Sequence, residues 1–501
     1  MNILKLTVSI IWMFSIVLSN SDAKTLRVIN FSSDVPGITS LGKTFDPDSY
    51  SVSTQLFDSL VHIDLDGKIV PALATSWKLI NDTTYEFTLR RNVSFHNGEK
   101  FTSAAVKFTY DAVLDPKNQT GNAWIMGTIK RVEVMDSHKV RIHLKHPDGM
   151  FIFRLSMFGA IAPPGYIGKV GLEGFFQKPI GTGPFKFVSW ESGKEIVLEK
   201  NTGYWEKGTP KVEKLIFKIV PEKNWASALL SNKVDVITNI PRGAIKAVEK
   251  SPNFQIMKRE VLQGYWVLLS DKGVLKDIRI RQALNYAVDK KKMIRAQAGG
   301  LGTPLASLGK SGEIGKNKKL KPYPLDISKA KSLLQQSGHS NITLTNLAIL
   351  PAKPLVQSIT QDLKKIGITV KTTFVSRPEW AKQVVVGKIT GKPYQGDMAI
   401  NLVDNPIMDL AFHAGLFLAS PSPWSLISDP TYDGMFQKAL FKSKLAEHTA
   451  ALEELDRYIH DNAMMLFTFQ PVRMFGVSNR VKLPSIGING HVDYYIFSKA
   501  Q

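Results

Sequence analysis

Ten histidines and forty-three Asp and Glu side chains supply groups for acid–base or metal chemistry, yet their spacing assembles no catalytic set. His138, His143 and His146 form the one imidazole cluster, on an expected strand and its end. Residues an odd number apart on a strand point to opposite faces, so His143 and His146 diverge and no metal site is expected there. No G-x-S-x-G turn presents a serine nucleophile. Gly309-Lys310-Ser311 resembles the end of a phosphate loop, but Pro304 stands where that loop needs its first glycine. Cysteine is absent, which excludes thiolate ligands, disulfides, a cysteine nucleophile and a lipidated N-terminal cysteine. Binding chemistry remains. Tyr50, Tyr265, Trp266, Trp380, Trp424, Tyr494 and Tyr495 lie beside polar loops, where a cleft wall needs rigid amphipathic surface. Trp266 and Trp424 are the preferred two.

At 501 residues, with 44% hydrophobic content, the chain holds enough apolar material for two or three packed domains. Its start reads as an export signal. Lys5 precedes the apolar run Leu6 to Leu18, and Ser21-Asp22-Ala23 offers a small-residue cleavage site. That run is too short for a membrane span. A large exported chain without disulfides or a lipid anchor is expected free in the periplasm. The net charge of +21 favours anionic partners or a generally basic surface. Nucleic acid is not expected. The lysines at 316, 318, 319 and 321 sit among Gly and Pro without interleaved aromatics, and an exported protein does not meet DNA or RNA.

These side chains must be positioned by alternating strands and helices. Pro179 to Val236 carries the clearest pattern: Gly181, Gly183 and Pro184 as turn residues, then strands at Phe185–Val188, Glu195–Glu199 and Leu215–Val220. A helix through Trp225 and Leu229 follows, then the strand Val234–Ile237. Earlier, a helical face of Val52, Leu56 and Leu60 is expected, and a helix capped by Ser103. Later, Asp277 caps a helix running from Ile278 to Ala298 and closed by Gly299-Gly300, and Asp326 caps another stopped by Gly338. The strand Ile342–Leu347, the helix face Leu355, Ile359, Leu363 and Ile366, then Gly367 and the strand Ile368–Phe374 predict partly parallel pairing. Met398–Leu402 is a further strand that opens into a loop-rich Val403–Pro423. A helix at Lys444–Ala463 and a strand at Met464–Phe469 complete the chain.

Five ordered blocks carry a resemblance across almost the whole mature chain. They are LFDSLVHIDLDGKIVPALATSWKL with YEFTLRRNVSFHNGEKFTSAAVKFTYD, PIGTGPFKFVSWESGKEIVLEKNTGYW, KDIRIRQALNYAVDKKKMI, DISKAKSLLQQSG and ITQDLKKIGITVKTTF. The chain resembles the extracytoplasmic substrate-binding proteins of ABC transporters, specifically the large dipeptide/oligopeptide class (family 5). The resemblance implies an α/β, two-lobed periplasmic-binding-protein fold with a hinge, and an extra α+β subdomain inserted in the first lobe. It divides the chain into a signal peptide at 1–23, a first lobe at 24–50, 179–265 and 475–501, an insertion at 51–178, and a second lobe at 266–474. Ligand is trapped between the lobes, and a membrane permease recognises the closed state. No chemical step and no cofactor are implied, and a monomer is expected.

Peptide-binding relatives pair an Asp with the ligand's α-amino group in a pattern like GWxxDxxxP. Here Ile400-Asn401-Leu402-Val403-Asp404-Asn405-Pro406 resembles it, with Asp404 in place and Asn401 replacing the Trp. The Arg-Pro-Tyr carboxylate clamp of dipeptide binders is missing. Leu350-Pro351-Ala352-Lys353 stands there, and Lys353 supplies charge without the bidentate fork. The family's Phe-Asn-Thr is replaced by Leu269-Ser270-Asp271. Ligand identity is therefore expected in Ser32–Asp34, Tyr265–Asp271 and Asp404–Trp424, with Ser33, Asp34, Trp266, Asp404, Asn405 and Trp424 as contacts. The expected function is a periplasmic receptor delivering a small peptide or peptide-like solute to an inner-membrane ABC permease. The alternatives are the same role for an anionic sugar or opine-like acid, a nickel chelate or haem, and, remotely, an exported enzyme.

Overall fold

The computed structural model describes residues 24–499 except 40, 43–46, 484–485, 488–489 and 491; the expected export segment lies outside them. The Pro179–Val236 stretch builds one side of an eight-stranded mixed sheet. Phe185–Glu191, Glu195–Lys200 and Lys214–Lys218 pair antiparallel in succession, and Thr25–Ile29 then pairs in parallel with both Lys214–Lys218 and Val236–Ile237. Phe469–Ser478 and Phe254–Glu260 complete the far edge, and Gly302–Pro304 pairs with the start of Phe469–Ser478. Gly181 and Gly183 have a packing reason: a Cβ at either would collide with the backbone of Leu56, whose carbonyl accepts the Gly183 amide at 2.9 Å.

The second sheet has five strands in the order Thr369–Val375, Thr343–Ile349, Met398–Asp404, Gln263–Leu269, Met465–Leu466. Thr343–Ile349 pairs in parallel with both of its neighbours, the arrangement that the strand–helix–strand pattern around Gly367 predicts. Gly367 has φ +81°, the left-handed turn that lets Lys353–Lys364 hand over to the next strand. A four-stranded antiparallel sheet (Ala74–Asn81, Thr84–Leu89, Lys139–Leu144, Ile129–Asp136) forms the centre of the segment between Ser51 and Lys178.

Apart from the short strand Gly302–Pro304, which returns to the first sheet, the chain passes between the two large sheets at Val261-Leu262 and at Phe467-Thr468. The exchange does not divide Tyr265 from Trp266, because all of Gln263–Leu269 pairs with Met398–Asp404. Nor does it fall at Met474, which lies inside the first-sheet strand Phe469–Ser478.

Other differences are local. Leu60 lies beyond the helix Pro47–Leu56 and precedes a strand instead. Thr102, not Ser103, holds the N-cap position, and the Ser103 hydroxyl donates to the Asp136 carbonyl at 2.5 Å. The expected Ile278–Ala298 helix is two, Ile278–Ala287 and Lys290–Ala298, because the Asp289 carboxylate caps a fresh start by accepting the Lys292 amide at 3.0 Å. The loop-rich stretch contains the helix Leu410–Phe417, which is apolar on all sides and so carries no amphipathic period.

Candidate functional site

Asp404 ends the central strand Met398–Asp404 beside the chain crossing, where the next amide, Asn405, donates to the Leu262 carbonyl at 2.8 Å. Its carboxylate has one oxygen buried without a hydrogen-bond partner among the described residues. The other lies 4.0 Å from the Arg473 guanidinium, too far for a hydrogen bond. Arg473 belongs to the first sheet and faces Arg259 directly in the antiparallel register. Arg259 donates one hydrogen bond, from Nη2 to the Leu65 carbonyl at 3.3 Å, and its buried Nε has no acceptor among the described residues. Two cations of the first sheet and one carboxylate of the second thus lie beside the chain crossing, with bonding capacity unused among the described residues. An unmade hydrogen bond on a buried polar group costs about 1–3 kcal/mol, so such a group marks a place for a missing partner.

Beneath Asp404 most bonds are made within the protein, although the Asn405 side-chain oxygen, like one oxygen of Asp404, is buried without a hydrogen-bond partner among the described residues. Asn405, fully buried, donates to the Glu313 carboxylate and to the Asp409 carbonyl, both at 2.8 Å. Lys310, also fully buried, donates to Glu313 and sits 4.6 Å from the centre of the Trp266 ring. Burial pushes the Lys310 ammonium below its ordinary value, and burial together with the Lys310 charge pushes His413 well below its own. His413 Nε2 meets the Asp404 carbonyl at 3.2 Å, which ties this buried set to the site. Trp266, His413, Phe417, Trp424 and Trp380 form one run of contacting rings with centroids 4.9–6.2 Å apart.

The structure brings some of the expected contact residues together and separates others. Asp404, Asn405 and Trp266 are neighbours, and Trp424 joins them through Phe417. Trp266 is 3% exposed and its indole N–H donates to the Val403 carbonyl at 3.3 Å, so it supports the site from behind. Asn405 likewise spends its amide donors on the floor. Trp424 stays half-buried. Asp34 is taken by the first sheet: it accepts the Trp190 indole and the Gly193 amide, both at 2.9 Å, and the Ser192 hydroxyl. Burial opposes its charge, but these bonds outweigh it and hold the carboxyl below the usual range. Ser33 is exposed next to it. The Asp34 carboxylate is thus spent on turn donors of the first sheet, while Ser33 keeps its hydroxyl at the surface.

Arg259 and Arg473 escape sequence reasoning. They lie far apart in the chain, and strand register alone places them opposite each other. Lys353, where the peptide clamp was sought, is exposed at a helix start; Gln297 organises that corner by bonding the Tyr265 hydroxyl, the Pro351 carbonyl and the Leu355 amide at 2.8–3.0 Å. A separate cavity of about 120 Å³ lies away from Asp404, lined by Asp58, His62, Tyr204, Trp205, Glu206 and Tyr495 among others. His143, from the imidazole cluster, pairs with Glu133 at 2.7 Å, and among the described residues no group of three His, Cys, Asp or Glu could hold a metal.

The matched family model spans residues 68–404, from the inserted sheet to Asp404 itself, and describes bacterial extracellular solute-binding proteins, family 5. The chain belongs to that family. Among curated relatives of this family 5 chain, the glutathione-binding protein of Pectobacterium atrosepticum is 30% identical over 344 residues, covering 67% of this chain and 66% of that protein. The aligned part thus spans just under two thirds of that relative. Solved structures share the fold. The binding protein DppA of Helicobacter pylori, in complex with the peptide STSA, superposes with a TM-score of 0.80 at 24% identity, covering 95% of this chain and 98% of that one. NikZ of Campylobacter jejuni, in complex with Ni(L-His), gives 0.80 at 23% identity, covering 95% and 100%. The fold is accordingly the two-lobed α/β architecture of these binding proteins. Among the described residues no helix is long and apolar enough to cross a membrane.

Proposed function

We propose that this family 5 protein is a periplasmic solute receptor that captures a peptide or peptide-like ligand between its two large sheets and presents it to an ABC permease. One observation carries the reading: the buried oxygen of Asp404 that has no partner among the described residues, beside the crossing between the two large sheets. An ammonium placed there gains a charge-assisted hydrogen bond without displacing any protein contact. Ligand bound to both lobes favours the shut state by its differential contacts, and that state is the one a permease distinguishes from the empty receptor. The relatives' names, one for glutathione and one solved with a short peptide, agree with an amine-bearing ligand. We assign the chain no chemical step: the charged groups at the site are not arranged as a nucleophile and its base.

Asp404→Ala is expected to weaken binding of amine-bearing ligands by about 2–5 kcal/mol. Isothermal calorimetry with short peptides checks this, and an unchanged affinity removes Asp404 from the site. A second reading has support of its own. The Arg259 and Arg473 pair favours an anionic group, as on an opine-like acid, an anionic sugar or an amino-acid chelate of nickel. A thermal-shift series separates the classes, since a ligand of the bound class raises the melting temperature.

A further inference from the structure

The positive charge of this chain is unevenly spread. Of its 64 Lys and Arg and 43 Asp and Glu, residues 272–371 hold nineteen and five, so two thirds of the net charge of +21 falls on a fifth of the sequence. The helices Ile278–Ala287, Lys290–Ala298, Ile327–Ser337 and Lys353–Lys364 pack on one another as a layer, and the last of them seats it on Thr343–Ile349 and Thr369–Val375 of the second sheet. The carboxylates of this stretch are spent internally. Asp277 pairs with Arg279 at 2.6 Å, Asp289 and Asp326 cap helices, and Glu313 is buried against Lys310. Asp362, fully buried, accepts Lys292 at 2.9 Å and Lys365 at 2.8 Å, joining the start of one helix to the end of another. What remains at the surface is cationic. Lys291, Lys331 and Lys364, one on each of three helices, are exposed with no ion-pair partner among the described residues. Lys318, Lys319 and Lys321 extend the charge along the loop that leads into Ile327–Ser337.

The residue types say what such a layer suits. Sixteen of the nineteen cations are Lys, whose ammonium is a mobile point charge rather than a fork aimed at one anion. Lys is depleted from protein–protein interfaces, where fixing its long side chain costs entropy; mobile lipid headgroups present many anions and leave that side chain free. Apolar and aromatic groups accompany the lysines. Leu325 is 50% exposed, the Lys329 ammonium sits 4.4 Å from the centre of the Tyr286 ring, and Tyr286, Lys321, Pro322 and Pro324 line one groove, to which Asp461 adds a carboxylate. Tyrosine is favoured at the headgroup level of a bilayer, where lysine meets the phosphates. We propose that this helix layer is a docking surface for an anionic phospholipid bilayer, with Lys291, Lys331 and Lys364 meeting headgroup phosphates and Leu325 entering the headgroup region. The inference goes beyond solute capture and does not depend on which ligand the protein binds. A receptor held at a bilayer searches for its permease along a surface rather than through a volume.

The test is co-sedimentation of the mature protein, without the apolar run Leu6 to Leu18 that would itself enter lipid, with vesicles. One set is phosphatidylcholine alone and the other contains about a third phosphatidylglycerol, each in about 0.05 M and about 0.5 M salt. The expected result is binding to the anionic vesicles at low salt, about tenfold or more weaker on the zwitterionic ones and at high salt. Replacing Lys291, Lys331 and Lys364 together by Gln should lower the binding by about tenfold or more, since each lysine near an anionic surface contributes about fivefold. Lys130→Gln, Lys169→Gln and Lys207→Gln together remove the same charge from exposed sites outside the stretch, and should change it by less than about threefold. Circular dichroism melting shows that both triple variants are folded. No binding to anionic vesicles at low salt overturns the proposal. Equal losses in the two triple variants also overturn it, because net charge alone would then explain the attraction. Retention on immobilised polyglutamate without binding to the anionic vesicles overturns it in favour of an acidic protein partner.

Discussion

Two clusters of charge, one around the cavity and one beside Asp404, differ in how many of their bonds are already made. Around the 120 Å³ cavity, Asp58 accepts hydrogen bonds from Thr182 (2.8 Å), Tyr204 (2.9 Å) and Trp205 (3.0 Å), and His62 meets Asp493 at 3.3 Å. Beside the chain crossing, Asp404, Asn405 and Arg259 keep an atom each without a partner among the described residues, and Asp404 and Arg473 stand 4.0 Å apart. In the first cluster the Asp58 carboxylate is expensive to bury but held by three donors, which makes it part of the scaffold. The second is unfinished, and a ligand with complementary charges finishes it. Abundance of acidic and aromatic residues favours the cavity as a site; hydrogen-bond accounting favours the cleft.

Substitutions can break this contrast. The largest effect on stability is expected from Asp58→Ala, which orphans three donors at a cost of about 1–3 kcal/mol each. Urea unfolding should register it, while affinity measured on the remaining folded protein stays unchanged; lost affinity with intact stability would reverse the roles of the two clusters. Asp404→Ala should do the opposite, with the binding loss of about 2–5 kcal/mol given above and little or no loss of stability, since it removes a group with an unmade bond.

A smaller effect concerns the contact between the inserted segment and the second lobe. The Gly149 amide donates to the Leu440 carbonyl at 3.1 Å, and a Cβ at Gly149 would collide with the His448 ring. His448 Nε2 meets Asp409 at 2.8 Å with both side chains fully buried. Burial opposes charge on His448, but Asp409 and the hydrogen bonds to it and to the Ala439 carbonyl outweigh that and raise its pKa. A histidine raised in the folded state contributes stability that is complete below its unfolded value of about 6.5 and is lost as pH rises through the higher folded value. Melting temperatures across that window should fall with rising pH in the native protein and fall less in His448→Gln; parallel curves would show that the pair carries no pH-linked stability. The smallest effect, within about 0.5 kcal/mol, is expected for Ser443→Ala, which removes an exposed bond to Asp82 at 2.7 Å.

Much of the scaffold was legible because its signals are local. Alternation announces Phe185–Glu191 and Glu195–Lys200, and Asp277 and Asp326 cap helices as their side-chain oxygens require, accepting the Arg279 and Lys329 amides at 2.8 Å. The split at Asp289 and the helix Leu410–Phe417 escaped, since periodicity runs through the first and is missing from the second. At the site, Asp404 was legible through its pattern. Trp266 stands out in the sequence by its aromatic character, which does not distinguish a wall from the packing behind it. The arginine pair was not legible, because a strand from each end of the second lobe's insertion point had to be set in register first.

The most direct measurement is calorimetry of one amine-bearing peptide and its N-acetylated form against the native protein and Asp404→Asn. If the Asp404 carboxylate receives the ligand's ammonium, acetylation abolishes most of the affinity for the native protein and makes little further difference to the variant. Equal affinity of the native protein for both forms would contradict that claim.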